Sequence, residues 1–452
     1  MLPDDVLLGI FDFYANGTNR TKRAIEAWQT LVHVCRRWRT IVFVSPRRLN
    51  LRLICSAHTP ARKTLDVWPA LPLVIQCYLR VDVDNIVAVL EHSNRVQGIN
   101  LIRLSKSDLE NVLAAMQVSF PELTQLELSS DEKTAVIPDS FLGGSVDSAP
   151  RLRFLWLKGI SFPGLPKLLL AATRLVHLCL SEIPHSGYFS PKALVTALPT
   201  LTSLEELRLE FQSPQSRPDQ ASRRQPLPTR IVLPVLTEVW FEGVSEYFND
   251  LVAHIDAPVL DKLVITFFNQ IVFDTPQLVQ FISRTPTFKA LVDASVSFED
   301  GVARVNLQAS RFQGLLMKIP CRELDWQVSS VEQVFTSCLP PLFTLEKLSI
   351  YARVGWQPDW QDNIDNTLWL ELLYPFTAAR NLYLSKEFAL LIVPALQELV
   401  GSRTTEVLPA LQNVFLEGLE QSGPVQDGIG EFVVTRQVIG HPIAVSRWDR
   451  SS

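Results

Sequence analysis

The sequence predicts an α/β chain in two unequal parts: three short helices, then a long stack of strand–helix repeats built on a parallel sheet. Three observations carry this prediction. Apolar residues over positions 3–44 recur at helical spacing. From about residue 80 a unit L-x-x-L-x-L recurs, with steps of 23 to 32 residues between clear neighbours. A proline stands two residues before the first apolar residue of several units.

The chain has 452 residues and is 47% hydrophobic, enough for a large buried interior and too long for one compact core. Its formal net charge is −5, spread unevenly. Residues 1–63 carry 11 Lys+Arg against 4 Asp+Glu, and the remainder carries 31 against 43. A basic segment of this kind can mark a nucleic-acid-binding arm, but a small domain with one solvated basic face accounts for it, and no nucleic-acid partner is expected. The six cysteines stand singly, none as C-x-x-C, so neither a zinc site nor a redox motif is indicated. Buried reduced thiols suit a reducing compartment. The N-terminal stretch lacks an apolar signal-type segment, and no apolar run reaches membrane-spanning length. The expected location is cytoplasmic or nuclear, without a membrane.

The helices follow from local chemistry. Pro3 suits a first turn, where its missing N–H is not needed, and Asp4 and Asp5 sit where the helix dipole favours negative charge. Leu7, Ile10, Phe11 and Tyr14 then share a face, with Val6 and Phe13 beside them. Asn16-Gly17-Thr18-Asn19 breaks the helix. A second helix is predicted over 22–32, with Ile25, Trp28, Leu31 and Val32 apolar. A third turns Val34, Cys35, Trp38, Ile41 and Val42 inward and Arg36, Arg37 and Arg39 outward, and Pro46 ends it. Three short helices in about 45 residues cannot bury every apolar face they present, so a partner or the following domain must cover the surplus.

These residues resemble the F-box. Leu2-Pro3-Asp4-Asp5-Val6-Leu7-Leu8 with Ile10-Phe11, then Leu31 and Val34-Cys35-Arg36-Arg37-Trp38, are similar to its two halves in the right order, over about a tenth of the chain. The loop between the halves, 15–24, is long. The resemblance implies docking to a Skp-type adaptor and, through it, a cullin, within an SCF ubiquitin ligase. Carried over by position, the adaptor-facing residues are Leu2, Pro3, Val6, Leu7, Ile10, Phe11, Leu31, Val34, Cys35 and Trp38.

The repeats begin clearly at Leu123-Leu126-Leu128 and Leu152-Leu155-Leu157 and continue to Leu411-Val414-Leu416, with weaker copies at Val96-Ile99-Leu101, Phe288-Leu291 and Ala379-Leu382-Leu384. Alternate apolar residues of a short strand point into a shared core. Ser190-Pro191 and Thr275-Pro276 read as helix starts, a capping hydroxyl followed by proline at the first helical position. Pro121, Pro150, Pro234, Pro258, Pro286 and Pro409 reset the chain for the next strand. No single repeat buries its own apolar face, so the repeats must stack. This part resembles an irregular leucine-rich-repeat solenoid with its parallel sheet on the concave face. It departs from the family in lacking the Asn that follows the motif; Gly-apolar stands there at Gly159-Ile160, Gly243-Val244 and Gly418-Leu419. Residues 292–343 break the period and are expected to hold an irregular repeat. The expected divisions are an F-box at 1–48, a linker and first capping repeat at 49–95, repeats at 96–425 with a mobile polar loop at 213–231, and a C-terminal cap at 426–452.

Enzymatic motifs are missing from the sequence: there is no P-loop, dinucleotide fingerprint, H-E-x-x-H pair or nucleophile elbow, and the seven histidines are scattered. No catalytic residue, metal or cofactor is expected. The resemblance places the fifth position of the repeat on the concave face, where four of nine residues are aromatic. Trp156, Arg208, Trp240, Tyr383 and Phe415 are therefore candidates to hold an unknown target protein. The alternative stays open that these rings pack on one another, or under the loop or the cap. The expected function is a substrate-recognition subunit of an SCF-type ligase, with a repeat scaffold whose F-box serves a non-ligase assembly as the alternative.

Overall fold

The structure is a computed structural model. It describes residues 2–449 except 17–26, 57–59, 78–81, 133–134, 145–148, 219–229, 269–272, 311–312, 354–363, 400–402, 404 and 419–422. The chain divides into two compact units, Met1–Phe189 with Thr196–Leu204 and Ser190–Val195 with Glu205–Ser452.

The first unit starts with three helices, α1 (Asp4–Asn16), α2 (Ala27–Val32) and α3 (Arg36–Val44). The start of the second predicted helix lies outside the described residues. The Pro3 carbonyl accepts the first helical bond, from the Leu7 N–H at 3.1 Å. The apolar face predicted for α1 is divided in two. Leu7 and Phe11, four residues apart, are buried with Leu31, Val32, Ile41 and Val42, whereas Val6, Ile10 and Tyr14 lie one residue to the side and are exposed. Val34 and Cys35, predicted to turn inward, precede α3 and are exposed; Cys35 is its N-cap, its Sγ accepting from the Trp38 N–H. Trp28 ties the helices to the strand–helix part of the same unit. It is 2% exposed, donates Nε1–H to the Arg52 carbonyl at 3.1 Å, and lies edge-on to Trp68 at 5.2 Å.

After α3 the unit alternates strand and helix: β1 (Leu53–Ser56), α4 (Ala61–Val67), β2 (Leu73–Cys77), α5 (Val83–Leu90), β3 (Val96–Leu104), α6 (Lys106–Ala115), β4 (Gln125–Ser130), β5 (Phe154–Lys158), α7 (Leu165–Ala171) and β6 (His177–Ile183). The six strands pair in chain order, all parallel. Residues 49–95, expected as linker and one capping repeat, hold two strand–helix pairs. Ile99, Leu126, Leu155 and Leu178 stand in one register column and Leu101, Leu128, Leu157 and Leu180 in the next, all buried. The first Leu of each motif, Leu123, Leu152 and Leu175, is buried in the turn before its strand. Each turn bonds back to the preceding repeat: Phe154 N–H to the Thr124 carbonyl at 3.1 Å, His177 N–H to the Arg153 carbonyl at 3.0 Å.

The second unit contains β7 (Glu206–Phe211), β8 (Ile231–Val232), β9 (Glu238–Gly243), α8 (Ser245–Val252), β10 (Ile255–Asp256), β11 (Lys262–Phe267), α9 (Pro276–Arg284), β12 (Asp293–Glu299), β13 (Val302–Ser310), β14 (Gln313–Pro320), α10 (Leu324–Gln333), β15 (Lys347–Ala352), α11 (Asn366–Leu373), β16 (Asn381–Leu384), α12 (Lys386–Gln397), β17 (Asn413–Glu417), α13 (Pro424–Val438) and β18 (Ala444–Trp448). The last two elements are the helix and strand of the segment expected to cap the chain. Residues 219–229 of the expected mobile loop lie outside the described residues; at its end, β8 pairs with β10 as a separate two-stranded parallel ribbon.

The break at 292–343 is not an irregular repeat. It holds an antiparallel meander, β12–β13–β14, set into the sheet in reverse, so that the spatial order runs β11-β14-β13-β12-β15. β14 is parallel to β11, and β12 is parallel to β15. Two reversals restore the strand direction, and the turn Asp300-Gly301 makes the first, with Gly301 at φ 71°. The apolar columns run through the insertion: Leu263, Leu315, Leu307, Ala294 and Leu348 are in register, as are Ile265, Met317, Val305, Val296 and Ile350. Phe298 of β12 stacks on Phe388 of α12 at 4.9 Å, and the buried Trp369 of α11 lies beside both.

One predicted cap takes a different form. Ser190 accepts from the Ala193 N–H at 3.2 Å, as a cap should. Thr275 does not cap α9; its hydroxyl lies 3.2 Å from Cys338 Sγ and 3.3 Å from the Ser337 carbonyl. Asn249 of α8 does the capping from the neighbouring helix, its Oδ1 accepting from the N–H groups of Gln277 and Leu278 at 2.9 and 3.3 Å.

Gly159, which stands where the family's Asn is expected, has φ 68°, and a Cβ there would meet the Ser130 carbonyl oxygen at 2.5 Å. Gly159→Ala should destabilise the first unit by about 1–3 kcal/mol. Denaturant unfolding followed by circular dichroism measures this, and an unchanged midpoint would show that the turn relaxes freely.

Candidate functional site

Two surfaces collect the candidate residues. The first is on the N-terminal helices. Of the ten residues that the sequence assigns to adaptor docking, Leu7, Phe11 and Leu31 are buried at 6% exposure or less. Leu2, Val6, Ile10 and Val34 are 52%, 42%, 49% and 56% exposed, and Pro3 and Cys35 are exposed beside them. Trp38 is intermediate; one side of its ring packs on Phe11 with centroids 4.7 Å apart. Phe13, 79% exposed, lies on the same helix and was not among the residues carried over from the motif.

Arg37 braces this surface. Its Nη2 donates to the Leu2 carbonyl and to Asp4 Oδ1, both at 2.5 Å, and its Nε reaches the same carboxylate oxygen at 3.1 Å. The segment before α1 is thereby tied to α3. Arg39 donates Nε–H to the Val32 carbonyl at 3.0 Å. Two of the basic side chains counted in the sequence, Arg37 and Arg39, are thus engaged within the helices.

The second surface is the sheet face opposite the buried columns. Trp240, half-buried on β9, has Arg208 over its ring at 5.2 Å and Lys262 over it at 4.4 Å. Its Nε1–H donates to Glu238 Oε2 at 3.2 Å, and Arg208 pairs with Glu210 at 2.6 Å. Each cation contributes about 0.5–1 kcal/mol at such exposure. Further along, Tyr383 and Phe415, register partners on β16 and β17, stack at 4.3 Å with planes 7° apart. Lys347 lies over Tyr383 at 4.9 Å, and Trp448 of β18 meets it edge-on at 5.5 Å. Asn413 Nδ2 donates to Asn381 Oδ1 at 2.8 Å on the same pair of strands.

Of the two readings of the aromatic positions left open by the sequence, mutual packing describes Trp240, Tyr383 and Phe415. Cations lie at the Trp240 and Tyr383 rings, Tyr383 and Phe415 cover one face of each other, and the C-terminal segment supplies Trp448. Trp156, in the first unit, is half-buried on β5 in register with Glu127 and Cys179. Glu127 accepts from Asn100 and Gln125, and burial raises its carboxyl above the usual range while the Gln125 hydrogen bond opposes the shift. Glu238, Lys262 and Lys347 escaped the sequence reading. A signal existed: they sit, with Glu206, Asn381 and Asn413, immediately before the second apolar residue of each motif, in a second open-face column.

Among the described residues no helix is long and apolar enough to cross a membrane, and no group of three or more His, Cys, Asp or Glu side chains is placed to hold a metal ion. No protein-family description matches the chain, and no curated protein matches it. Among solved structures it is similar to the leucine-rich repeat-containing protein LegL7 from Legionella pneumophila, at 12% identity over 84% of this chain and 97% of that one, with a TM-score of 0.29. A superposition that loose adds nothing to the strand pairings themselves.

Five cysteines are buried, and burial pushes the Cys55 thiol up to about 11 and Cys338 up to about 12. A raised thiol pKa leaves the neutral, unreactive form in place through neutral pH. Native protein treated with iodoacetamide near pH 8 should therefore take up one label, at Cys35, and denatured protein six, counted by intact-mass spectrometry.

Proposed function

We propose that the chain is the substrate-recognition subunit of an SCF-type ubiquitin ligase. Residues 1–48 act as an F-box that docks on a Skp-type adaptor and through it a cullin. The open face of an irregular leucine-rich-repeat solenoid holds a target protein. The observation that supports this most is the division of the motif residues. Leu7, Phe11 and Leu31 build a private core, while Leu2, Val6, Ile10 and Val34 are apolar and left exposed among the described residues. Completing their burial would contribute roughly 3–6 kcal/mol in all, a sizeable share of a micromolar association.

In this reading the chain carries no catalysis of its own. It raises the effective concentration of a target beside a ubiquitin-charged enzyme, and other subunits do the chemistry. It would act in the cytoplasm or nucleus, without nucleic acid or membrane.

The test is a pull-down with a Skp-type adaptor. Wild type should bind it. Ile10→Asp with Val34→Asp should weaken binding by at least about 100-fold, two exposed hot-spot positions at about tenfold each, with an unchanged melting temperature. Leu7→Asp is unsuitable, since it would place a charge in the core. Failure of the wild type to bind, or equal binding by a folded double variant, sinks the proposal. Adaptor without cullin in the purified complex would point to a scaffold in a non-ligase assembly.

A further inference from the structure

Trp240 shows what this sheet does with a ring on its open face. A carboxylate and an ammonium accompany it: Lys262 Nζ lies 4.4 Å from the ring centroid and 3.4 Å from Glu238 Oε2. Ring, carboxylate and ammonium all come from the chain itself.

Trp156 in the first unit has the first two of these groups and not the third. It is half-buried on β5, and its register partners are Glu127 on β4 and Cys179 on β6, a carboxylate and a buried thiol. Two residues away along β5 stand Lys158 and Phe154. Lys158 is drawn to Glu182 at 2.9 Å, and Phe154 lies against His177 at 5.6 Å. All of these positions lie within described strands. Among the described residues no cation and no second ring lies against Trp156. Glu127 is held in place by neutral groups. Asn100 Nδ2 donates to one of its oxygens, and Gln125 Nε2 donates to the other at 2.6 Å. Amides orient a carboxylate without neutralising it. Burial raises the Glu127 carboxyl above its usual range, so its charged form gains from a cation brought beside it.

We infer that Trp156 and Glu127 together bind the ammonium of a lysine side chain carried by an extended polypeptide. The methylenes of lysine lie along the indole, and its charge sits at the ring face beside the carboxylate. Lysine fits better than arginine. A guanidinium fork takes both oxygens of a carboxylate at once, whereas each oxygen of Glu127 already holds an amide and an ammonium needs a single lone pair. The inference rests on the reading of the open face as the target-holding surface. It adds a requirement: the bound segment presents a lysine to the first unit.

The chain alone, without adaptor, is labelled with 5-fluorotryptophan, and the 19F resonances of positions 156 and 240 are assigned with Trp156→Phe and Trp240→Phe. It is titrated with acetyl-Gly-Gly-Lys-Gly-Gly-amide, with the same peptide acetylated at the lysine amine, with its arginine counterpart and with n-butylamine. The lysine peptide should shift the Trp156 resonance saturably and leave that of Trp240, which already has its ammonium, in place. The acetylated peptide, uncharged, should bind at least about tenfold more weakly, the scale of one charge-assisted hydrogen bond. The arginine peptide and n-butylamine should each bind more weakly than the lysine peptide. Glu127→Gln should weaken the lysine peptide by about tenfold with the melting temperature unchanged, on the same scale. No saturable shift at Trp156, an equal shift at Trp240, or equal binding by the acetylated peptide or by a folded Glu127→Gln overturns the site. An arginine peptide that binds as tightly overturns the choice of ammonium, and n-butylamine matching the peptide overturns the polypeptide assignment. An adaptor pull-down that fails while the titration succeeds would remove the ligase and leave the lysine site; the converse would remove the site and leave the docking helices.

Discussion

A one-residue slip in the register of a strand turns every apolar side chain to the other face, so a sheet buried on one side must keep the same parity in every strand. The columns Leu126–Leu155–Leu178 in the first unit and Leu263–Leu315–Leu307–Ala294–Leu348 in the second obey that constraint. The insertion shows how strict it is. Between α9 and α10, where the other repeats have one strand, stand three antiparallel strands, and direction is reversed twice, yet Met317, Val305 and Val296 still continue the line of Ile265 into Ile350. An odd number of strands returns the chain to its original direction, and in-register hairpins keep apolar residues on the helix side.

What parity buries on one face it frees on the other. The open face is then built of columns too, and their contents are set by residues from neighbouring strands 4.3 to 5.5 Å apart, not by residues adjacent in sequence. Arg208, Trp240 and Lys262 come from three strands and form one cation–ring–cation stack. Lys347, Tyr383, Phe415 and Trp448 come from four. In these stacks the rings lie against cations and against one another.

The N-terminal helices settle a different problem. Too small to bury all their apolar residues, they sort them: Leu7 and Phe11 go to the core, and Val6 and Ile10, one position round the helix, stay outside. Arg37 holds the Leu2 end of that outer strip to α3. An exposed apolar stripe fixed by a charged clamp is pre-ordered for contact, which lowers the conformational cost of association.

Much of this was legible beforehand. The helix starts at Pro3-Asp4-Asp5, the L-x-x-L-x-L strands and the prolines before them are local signals. Each reflects a rule that acts within a few residues: a spare N–H, a period of two, a fixed φ. The cap of α9 was not legible, because Asn249 lies in another helix and Thr275 found a partner 63 residues away. The insertion was visible as a broken period but not as a meander, since pairing order is decided between strands and not along them. The sequence by itself therefore determined the strands that carry the repeat motif, several helix starts and which positions are apolar. Only the tertiary structure decided which motif residues remain outside and which rings, cations and carboxylates meet, because those depend on register across strands and on the competition of several apolar faces for one core.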